Sequence, residues 1–212
     1  MKGDRMKKLT SIALGALFLS ISLYGQVGAA NLDLSPKRLD VFFQNIKSTD
    51  DLGYVGFNGV TLGLYAEKAR VGAVSFHIPK GLKKEERAST KDTRLYVGPY
   101  SLARVTKRPL KNYPVTPFDD KTTLRQIAAV EMSDILKTGS TIDLAQFVHR
   151  YRIPALLIEG KTNSTDRYMY LLTMHDENVY RLIYVYDPSR VEDLTQLRSI
   201  ILSYDVSVMS LR

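Results

Sequence analysis

Three histidines are the side chains of this sequence best suited to general base chemistry or metal binding: His77, His149 and His175. No two of them are two or four residues apart, the spacing that places two imidazoles on one metal from a single strand or helix. His77 and His149 fall on predicted strands and His175 in a predicted turn. The spacing therefore favours structural roles for all three.

Oxygen ligands for a cation are concentrated in the segment His175-Asp176-Glu177-Asn178. Calcium prefers several oxygens from one loop, but the alternation of acidic residues with a turn glycine is missing, so we interpret the segment as a polar hairpin turn. The acidic pairs Asp50-Asp51 and Asp119-Asp120 are interpreted as turn and helix-start residues, whose carboxylates complement free backbone amides. We predict no metal site.

Other catalytic patterns are also missing from the sequence. No Gly-x-Ser-x-Gly segment presents a serine at a strand-to-helix turn. Gly53, Gly56 and Gly59 are closely spaced, but they match neither common phosphate-binding pattern. The chain contains no cysteine, which excludes thiol catalysis, thiolate zinc sites and disulfides. We predict no catalytic residue and no cofactor.

The clearest candidate for binding is a group of seven basic side chains in the middle of the chain. These seven cations are Lys80, Lys83, Lys84, Arg87, Lys107, Arg108 and Lys111. With Tyr96, Tyr100 and Tyr113 nearby as rigid contact area, they could bind an acidic protein or an anionic polymer of the cell envelope. The alternative is an ordinary solvated surface, which is how most charge runs of this kind behave.

These cations lie in the least regular part of the sequence. Residues 80–121 are rich in lysine, arginine and proline, and we predict a long surface excursion with short strands at Leu95–Val97 and Ser101–Val105. Loops of this length inside a compact domain often carry function.

The first thirty residues have the three parts of a secretory signal. A basic start is followed by an apolar segment from Leu9 to Tyr24 and by the small residues of Val27–Ala30. We predict a signal peptide over residues 1–30, cleaved after Ala29 or Ala30. A retained membrane anchor is the alternative, because about 20 apolar residues span a bilayer; Gly25, Gln26 and Gly28 argue against it.

Charge and length limit the function of the remaining chain. Residues 1–30 contain four Lys or Arg and one Asp, so their removal lowers the formal net charge from +8 to +5. This excess is typical of a soluble protein and too small for a nucleic-acid-binding stripe. We predict that residues 31–212 form one domain with no membrane span. The oligomeric state stays open.

Two amphipathic helices are predicted. Thr123-Leu124-Arg125-Gln126 has capping-box spacing and begins an apolar stripe that reaches Leu136, with Gly139 ending the helix. Ser189-Arg190-Val191-Glu192 is a second capping box, and the apolar stripe after it runs from Val191 to Ile201.

A strand meander is predicted around these helices. The predicted strands are Val71–Ile78, Phe147–Tyr151, Ala155–Glu159, Arg167–Met174 and Val179–Tyr186, with a short terminal strand over Tyr204–Val208 that closes the sheet. Both faces of the last two long strands are apolar or aromatic, which indicates layers on each side. The prediction is an α+β fold, a mostly antiparallel sheet flanked by helices.

Two segments resemble the PsbP-like superfamily. Val74-Ser75-Phe76-His77-Ile78-Pro79-Lys80-Gly81 is similar to an early strand of that group that ends in Pro-x-Gly. Late in the chain, the strand Tyr180–Val185, a helix and the segment Ser199–Tyr204 resemble the family's strand, helix and Ile-x-x-Ser-aromatic ending. The resemblance covers roughly residues 71–208. It implies an α/β/α sandwich around an antiparallel sheet, usually without enzymatic activity, and it transfers no functional residue.

An exported domain without catalytic groups indicates a non-enzymatic binding or accessory protein of the bacterial cell envelope. Two alternatives stay open. One is a secreted hydrolase whose site is assembled from scattered residues, such as His149 with a serine or a carboxylate. The other is a structural subunit of an envelope complex, for which an exposed apolar patch would be typical.

Overall fold

A computed structural model describes residues 35, 38–39, 64–117, 119–150 and 153–207, and only the backbone at residues 149 and 150. The predicted signal peptide, the pair Asp50-Asp51 and the glycines at 53, 56 and 59 lie outside the described residues, as does the end of the predicted terminal strand. The strands in the described part are β1 (Ala66–Val71), β2 (Val74–Pro79), β3 (Lys83–Lys84), β4 (Thr93–Val97), β5 (Ser101–Pro109), β6 (Thr141–Arg150), β7 (Ile153–Lys161), β8 (Arg167–His175), β9 (Asn178–Tyr186) and β10 (Asp205–Val206). The α-helices are α1 (Asp120–Lys137) and α2 (Leu194–Leu202).

The strands form two sheets. The main sheet has seven strands in the order β3-β4-β5-β9-β8-β7-β6, and every neighbouring pair is antiparallel. The small sheet has the order β1-β2-β10. Helix α1 packs on one face of the main sheet, and the small sheet packs with α2 on the other face. The predicted α+β fold with a mostly antiparallel sheet and a helix on each side of the meander is confirmed.

An apolar core lies on each face of the main sheet. Alternate residues of one strand belong to different cores, because side chains alternate between the two faces of a strand. On β8, Tyr168, Tyr170 and Leu172 belong to the core under α1. Their neighbours Met169 and Leu171 belong to the core under the small sheet and α2. The prediction that both faces of β8 and β9 are covered is confirmed.

Both helices are capped by an aspartate. The backbone N–H of Thr122 donates to the Asp119 carboxylate at 2.9 Å, which confirms the interpretation of Asp119-Asp120 as helix-start residues. Helix α1 therefore begins at Asp120, and the predicted capping box at Thr123 is wrong. Gly139, with φ +79°, follows the end of α1 as predicted.

Helix α2, in contrast to α1, begins later than predicted. The N–H of Gln196 donates to the Asp193 carboxylate at 2.9 Å. Residues 188–190, which include the predicted cap Ser189, instead form a separate 3-10 turn with Asp187 as its own N-cap. The prediction of a helix start at Ser189 is wrong, because the carboxylates of Asp187 and Asp193 cap two different turns.

The predicted strand Val71–Ile78 is wrong as a single element. Val71 pairs with Val74, so the segment turns over at Gly72 and Ala73 and forms the β1–β2 hairpin. Gly72 has φ +56°, a conformation that costs glycine little and other residues more.

Three further predictions need correction. Residues 80–121 are not one irregular excursion, because β5 runs for nine residues and pairs along its whole length with β9. Strand β6 begins at Thr141, six residues before the predicted Phe147. Strand β10 pairs with β2, so it completes the small sheet and does not close the main one.

Candidate functional site

Four of the seven cations lie along one edge of the main sheet. Lys80 follows β2, Lys83 and Lys84 form the edge strand β3, and Arg87 lies in the 3-10 turn just after it. All four side chains are exposed. These four residues are called the edge cations below.

The other three cations lie away from this edge. Lys107 and Arg108 are on β5 and Lys111 is in the 3-10 turn that follows. In the sheet register Lys84 lies opposite Tyr96, which lies opposite Ala103. Ala103 is four residues before Lys107, so about 13 Å of strand separates the two groups of cations.

Lys107 and Arg108 also face opposite layers. Lys107 Nζ lies 3.9 Å from Asp92 Oδ1, and its stem passes beside Gly72 of the small sheet. Arg108 is on the α1 side, where its charge lowers the pKa of Glu131. The structure therefore does not bring all seven cations onto one surface.

Only one of the three tyrosines expected near the cations offers contact area to a partner. Tyr96 and Tyr113 are each 8% exposed, whereas Tyr100 is 39% exposed. The guanidinium carbon of Arg190 lies 4.6 Å from the ring centroid of Tyr100, a stacked cation–π contact. The expectation of a tyrosine contact surface is wrong for Tyr96 and Tyr113, because their rings belong to the two cores.

An open cleft lies beside the edge cations, at the N-terminal end of α2. Its volume is about 370 Å³, within the range of small-molecule binding sites. We call it the α2 cleft, and its lining residues are Leu64, Tyr65, Pro79, Lys80, Tyr184, Arg190, Val191, Glu192, Asp193, Gln196, Leu197 and Ile200. The sequence analysis missed the cleft because its walls come from four separate segments, and of its residues only Lys80 was singled out for binding.

Backbone hydrogen bonds fix the walls of the α2 cleft. The N–H of Lys80 donates to the carbonyl of Tyr65 at 3.0 Å and holds the entry to β1 against the end of β2. The N–H of Asp187 donates to the carbonyl of Tyr100 at 3.0 Å, which ties the 3-10 turn that carries Arg190 to the β4–β5 turn. The site is therefore built on paired segments of both sheets.

The lining combines apolar, aromatic and charged groups. Leu64 is 64% exposed and Tyr65 is 45% exposed, so both present apolar surface to solvent. Tyr184 forms part of the wall and its ring stacks on Tyr186, with the centroids 5.7 Å apart. Burial raises the pKa of Tyr184, so its hydroxyl is neutral at physiological pH.

A second group of charged side chains lies on the opposite face of the main sheet, under α1. Arg181 Nη1 lies 2.8 Å from Glu131 Oε1, and the Tyr113 hydroxyl donates to the same oxygen at 2.7 Å. Arg181 Nε donates to the Thr106 hydroxyl at 2.8 Å. We call Thr106, Tyr113, Glu131 and Arg181 the buried charge cluster, because each is no more than 8% exposed.

The charges in this cluster stabilise one another. Burial alone would raise the pKa of Glu131, but the charge of Arg181 and the hydrogen bond from Tyr113 outweigh it and hold that pKa below its usual range. Burial would likewise lower the pKa of Arg181, and Glu131 reverses the effect. Burial, Arg181 and Arg108 together lower the pKa of Arg104 to about 10. Glu131 and Arg181 are therefore both charged at neutral pH, and each charge compensates the other.

Tyr170 completes the surroundings of the buried charge cluster. Its hydroxyl lies beside the Glu131 carboxylate, but it meets no partner at good hydrogen-bond geometry among the described residues. Burial, and then the charge of Glu131, raises its pKa well above the usual value. The cluster joins α1 to the centre of the main sheet, so we interpret its role as structural.

The histidines do not form a site in the described part of the chain. His77 Nδ1 hydrogen-bonds the carbonyl of Ser203, and its Nε2 lies 3.8 Å from Asp205, so it joins β2 to the end of α2 and to β10. The structural role predicted for His77 is confirmed. His175 Nε2 lies 3.1 Å from Asp176 in the β8–β9 turn, and the side chain of His149 is outside the described residues.

No three His, Asp or Glu side chains in the described ranges are grouped so that they could hold a metal ion. No helix within these ranges combines the length and the apolar character needed to cross a membrane.

Comparison with known proteins gives a fold and no closer relationship. No protein-family model and no curated protein matches the chain. The solution structure of cyanobacterial PsbP (CyanoP) from Synechocystis is similar, with a TM-score of 0.50 and 12% identity over 74% of this chain and 99% of that one. A crystal structure from Bacteroides thetaiotaomicron matches with a TM-score of 0.42 and 9% identity, over 68% of this chain and 48% of that one, which is too little to support an argument. The chain therefore has the PsbP-like fold that its sequence resemblance predicted.

Proposed function

We propose that the chain is a non-catalytic binding or accessory protein, exported to the bacterial cell envelope, and that its contact surface is formed by the edge cations and the α2 cleft. The observation that carries the proposal is the position of Lys80, which belongs to both. The PsbP-like fold supports a non-catalytic role, although the fold by itself assigns no partner.

The edge of the sheet carries acidic as well as basic side chains, so its positive charge is partly compensated. Lys84 Nζ lies 2.7 Å from Glu86 Oε2, so part of its charge is balanced locally. Without residues 1–30 the chain nevertheless carries a formal net charge of +5, which attracts anionic partners over a distance of about one Debye length. The partner is an acidic protein or an anionic polymer of the envelope, and the exposed cations give the approach its direction.

Nothing in the described residues favours the hydrolase alternative. That alternative was built on His149, whose side chain lies outside the described residues, so it stays a prediction.

An exposed apolar patch was the mark expected of a structural subunit. Leu64 and Tyr65 are exposed, but they line a cleft with charged walls, an arrangement that suits a ligand.

Export has a direct test. In the source bacterium we expect the protein in the envelope or secreted fraction, with a mass that corresponds to a chain beginning at Ala30 or Asn31. N-terminal sequencing of that fraction gives the cleavage site. Full-length protein retained in the cytoplasm would contradict the export part of the proposal.

The contact surface is tested by matched charge reversals. The edge variant carries Lys83→Glu, Lys84→Glu and Arg87→Glu, and the control carries Lys111→Glu, Lys121→Glu and Lys161→Glu, which are also exposed and change the net charge equally. We expect wild-type protein and the control to co-sediment with envelopes of the source bacterium, and the edge variant to lose most of this binding. Equal behaviour of the two variants would sink the proposed surface.

A further inference from the structure

We infer that the α2 cleft binds a carboxylated polysaccharide, a chain of sugar rings that carry hydroxyl groups and carboxylates. The inference rests on the proposed function and names the ligand class for the same site. It separates the polymer from the acidic protein, which carries carboxylates without sugar hydroxyls.

The polar groups of the α2 cleft suit hydroxyl groups better than they suit an acidic peptide. A hydroxyl both donates and accepts hydrogen bonds, so it needs partners of both kinds. The lining offers an acceptor in Glu192, donors in Lys80 and Arg190, and both kinds of group in the amide of Gln196. A purely anionic peptide would be repelled by Glu192, whereas a sugar hydroxyl can donate to it.

One carboxylate of the lining has another partner. Asp193 accepts the N–H of Gln196 at 2.9 Å as the N-cap of α2. Glu192 is therefore the carboxylate of the lining that is left to accept from a ligand, while two cations face the same space. This balance favours a ligand with hydroxyl groups and a net negative charge.

The apolar part of the cleft suits the faces of sugar rings. Tyr65 and Leu64 keep 45% and 64% of their surface exposed, which leaves an apolar surface for the C–H face of a pyranose. An aromatic side chain supplies such surface with little loss of side-chain freedom. Tyr184 also lines the cleft.

The cations of the cleft suit the carboxylates of such a polymer. The guanidinium of Arg190 is held over the ring of Tyr100 at 4.6 Å, and an oriented guanidinium can bind a carboxylate through two parallel hydrogen bonds. From Lys80 the edge cations continue along the sheet at Lys83 and Lys84. A polymer seated in the cleft would therefore meet further positive charges along the edge.

Three probes distinguish the ligand classes by isothermal titration of the protein purified from the envelope fraction. They are an alginate oligosaccharide, polyglutamate of equal charge and uncharged maltohexaose. We expect alginate to bind at least about tenfold more tightly than either of the others, a difference of about 1.4 kcal/mol. Equal affinity for alginate and polyglutamate would overturn the inference but leave the proposed function intact. Binding of neither polyanion would contradict both.

Variants then locate the binding. Tyr65→Ala and Arg190→Ala should each weaken alginate binding by about tenfold, and Gln196→Leu should weaken it by removing the amide that both donates and accepts. Tyr65→Phe should retain binding because it keeps the ring. The matched controls are Leu136→Ala, an apolar side chain on α1 that is 44% exposed, and Lys111→Ala in the 3-10 turn after β5. Circular dichroism checks that each variant is folded, and unchanged affinity in Tyr65→Ala and Gln196→Leu would overturn the assignment to the cleft.

Discussion

The buried charge cluster and the α2 cleft use the same types of side chain on opposite faces of the main sheet. Under α1, the side chains of Arg181 and Glu131 are 3% and 7% exposed and are bound to each other. In the cleft, Arg190 and Glu192 line a space that is open to solvent. Burial, and not residue type, therefore decides whether a charge stabilises the fold or is available to a ligand.

The two regions should therefore respond in opposite ways to mutation. Removing one member of a buried pair leaves an uncompensated charge in an apolar layer, which is costly. Removing an exposed charge changes the free energy of unfolding little but removes a contact for a ligand.

The largest effect is expected for Arg181→Met. It leaves Glu131 buried without its cation, so the free energy of unfolding should fall by about 3–5 kcal/mol in urea or guanidinium denaturation. Arg190→Ala, the matched change in the cleft, should stay within about 0.5 kcal/mol of the wild type. The double variant Arg181→Met with Glu131→Leu should regain much of the loss. Similar small costs for Arg181→Met and Arg190→Ala would erase the distinction between the two regions.

An effect of pH should follow from Glu131. Its folded-state pKa lies below the ordinary value of 4.5, so its ionised form contributes stability that is fully present above about pH 4.5 and is lost as the pH falls through the folded-state pKa. The difference in the free energy of unfolding between wild type and Glu131→Gln should therefore be greatest near neutral pH and shrink in acid. Urea unfolding at a series of pH values measures this difference, and a value independent of pH would show that the ion pair is not its source.

A small effect of opposite sign is expected for a carboxylate that belongs to neither region. Asp176 and Glu177 form the two-residue β8–β9 turn with φ of 48° and 56°, values that favour glycine in this type of turn. Glu177→Gly should raise the free energy of unfolding by about 0.5–1 kcal/mol by relieving backbone strain. Glu177→Ala keeps the strain and should show no gain. A loss of stability in Glu177→Gly would mean that this side chain has a role that neither burial nor the cleft explains.

Much of the fold could be predicted because local patterns and tertiary packing agree. Strands β8 and β9 were found from their apolar faces, and the end of α1 from Gly139. The end of β5 was missed because Thr106, Lys107 and Arg108 are three consecutive polar residues before Pro109 and resemble a surface segment. Only the tertiary structure shows that Thr106 belongs to the buried charge cluster.

The candidate site was less predictable for a different physical reason. The seven cations were recognised in the sequence as one charge run. Because residues 106–109 were not predicted as part of a strand, the sequence did not show that Lys107 and Arg108 face opposite layers. The α2 cleft joins Leu64 and Tyr65 to Ile200 across most of the chain. The spacing of residues along the chain cannot predict such a contact, because the contact depends on how the two sheets pack.

The pairing of β10 with β2 has a consequence for how the molecule is made. Asp205 and Val206 add to a strand that begins at Val74, so the small sheet joins the last described strand to one of the first. During synthesis the chain emerges in order, so the β1–β2 hairpin can form early, whereas the third strand of this sheet must wait for residues 205 and 206. The small sheet is therefore completed much later than the hairpin on which it is built.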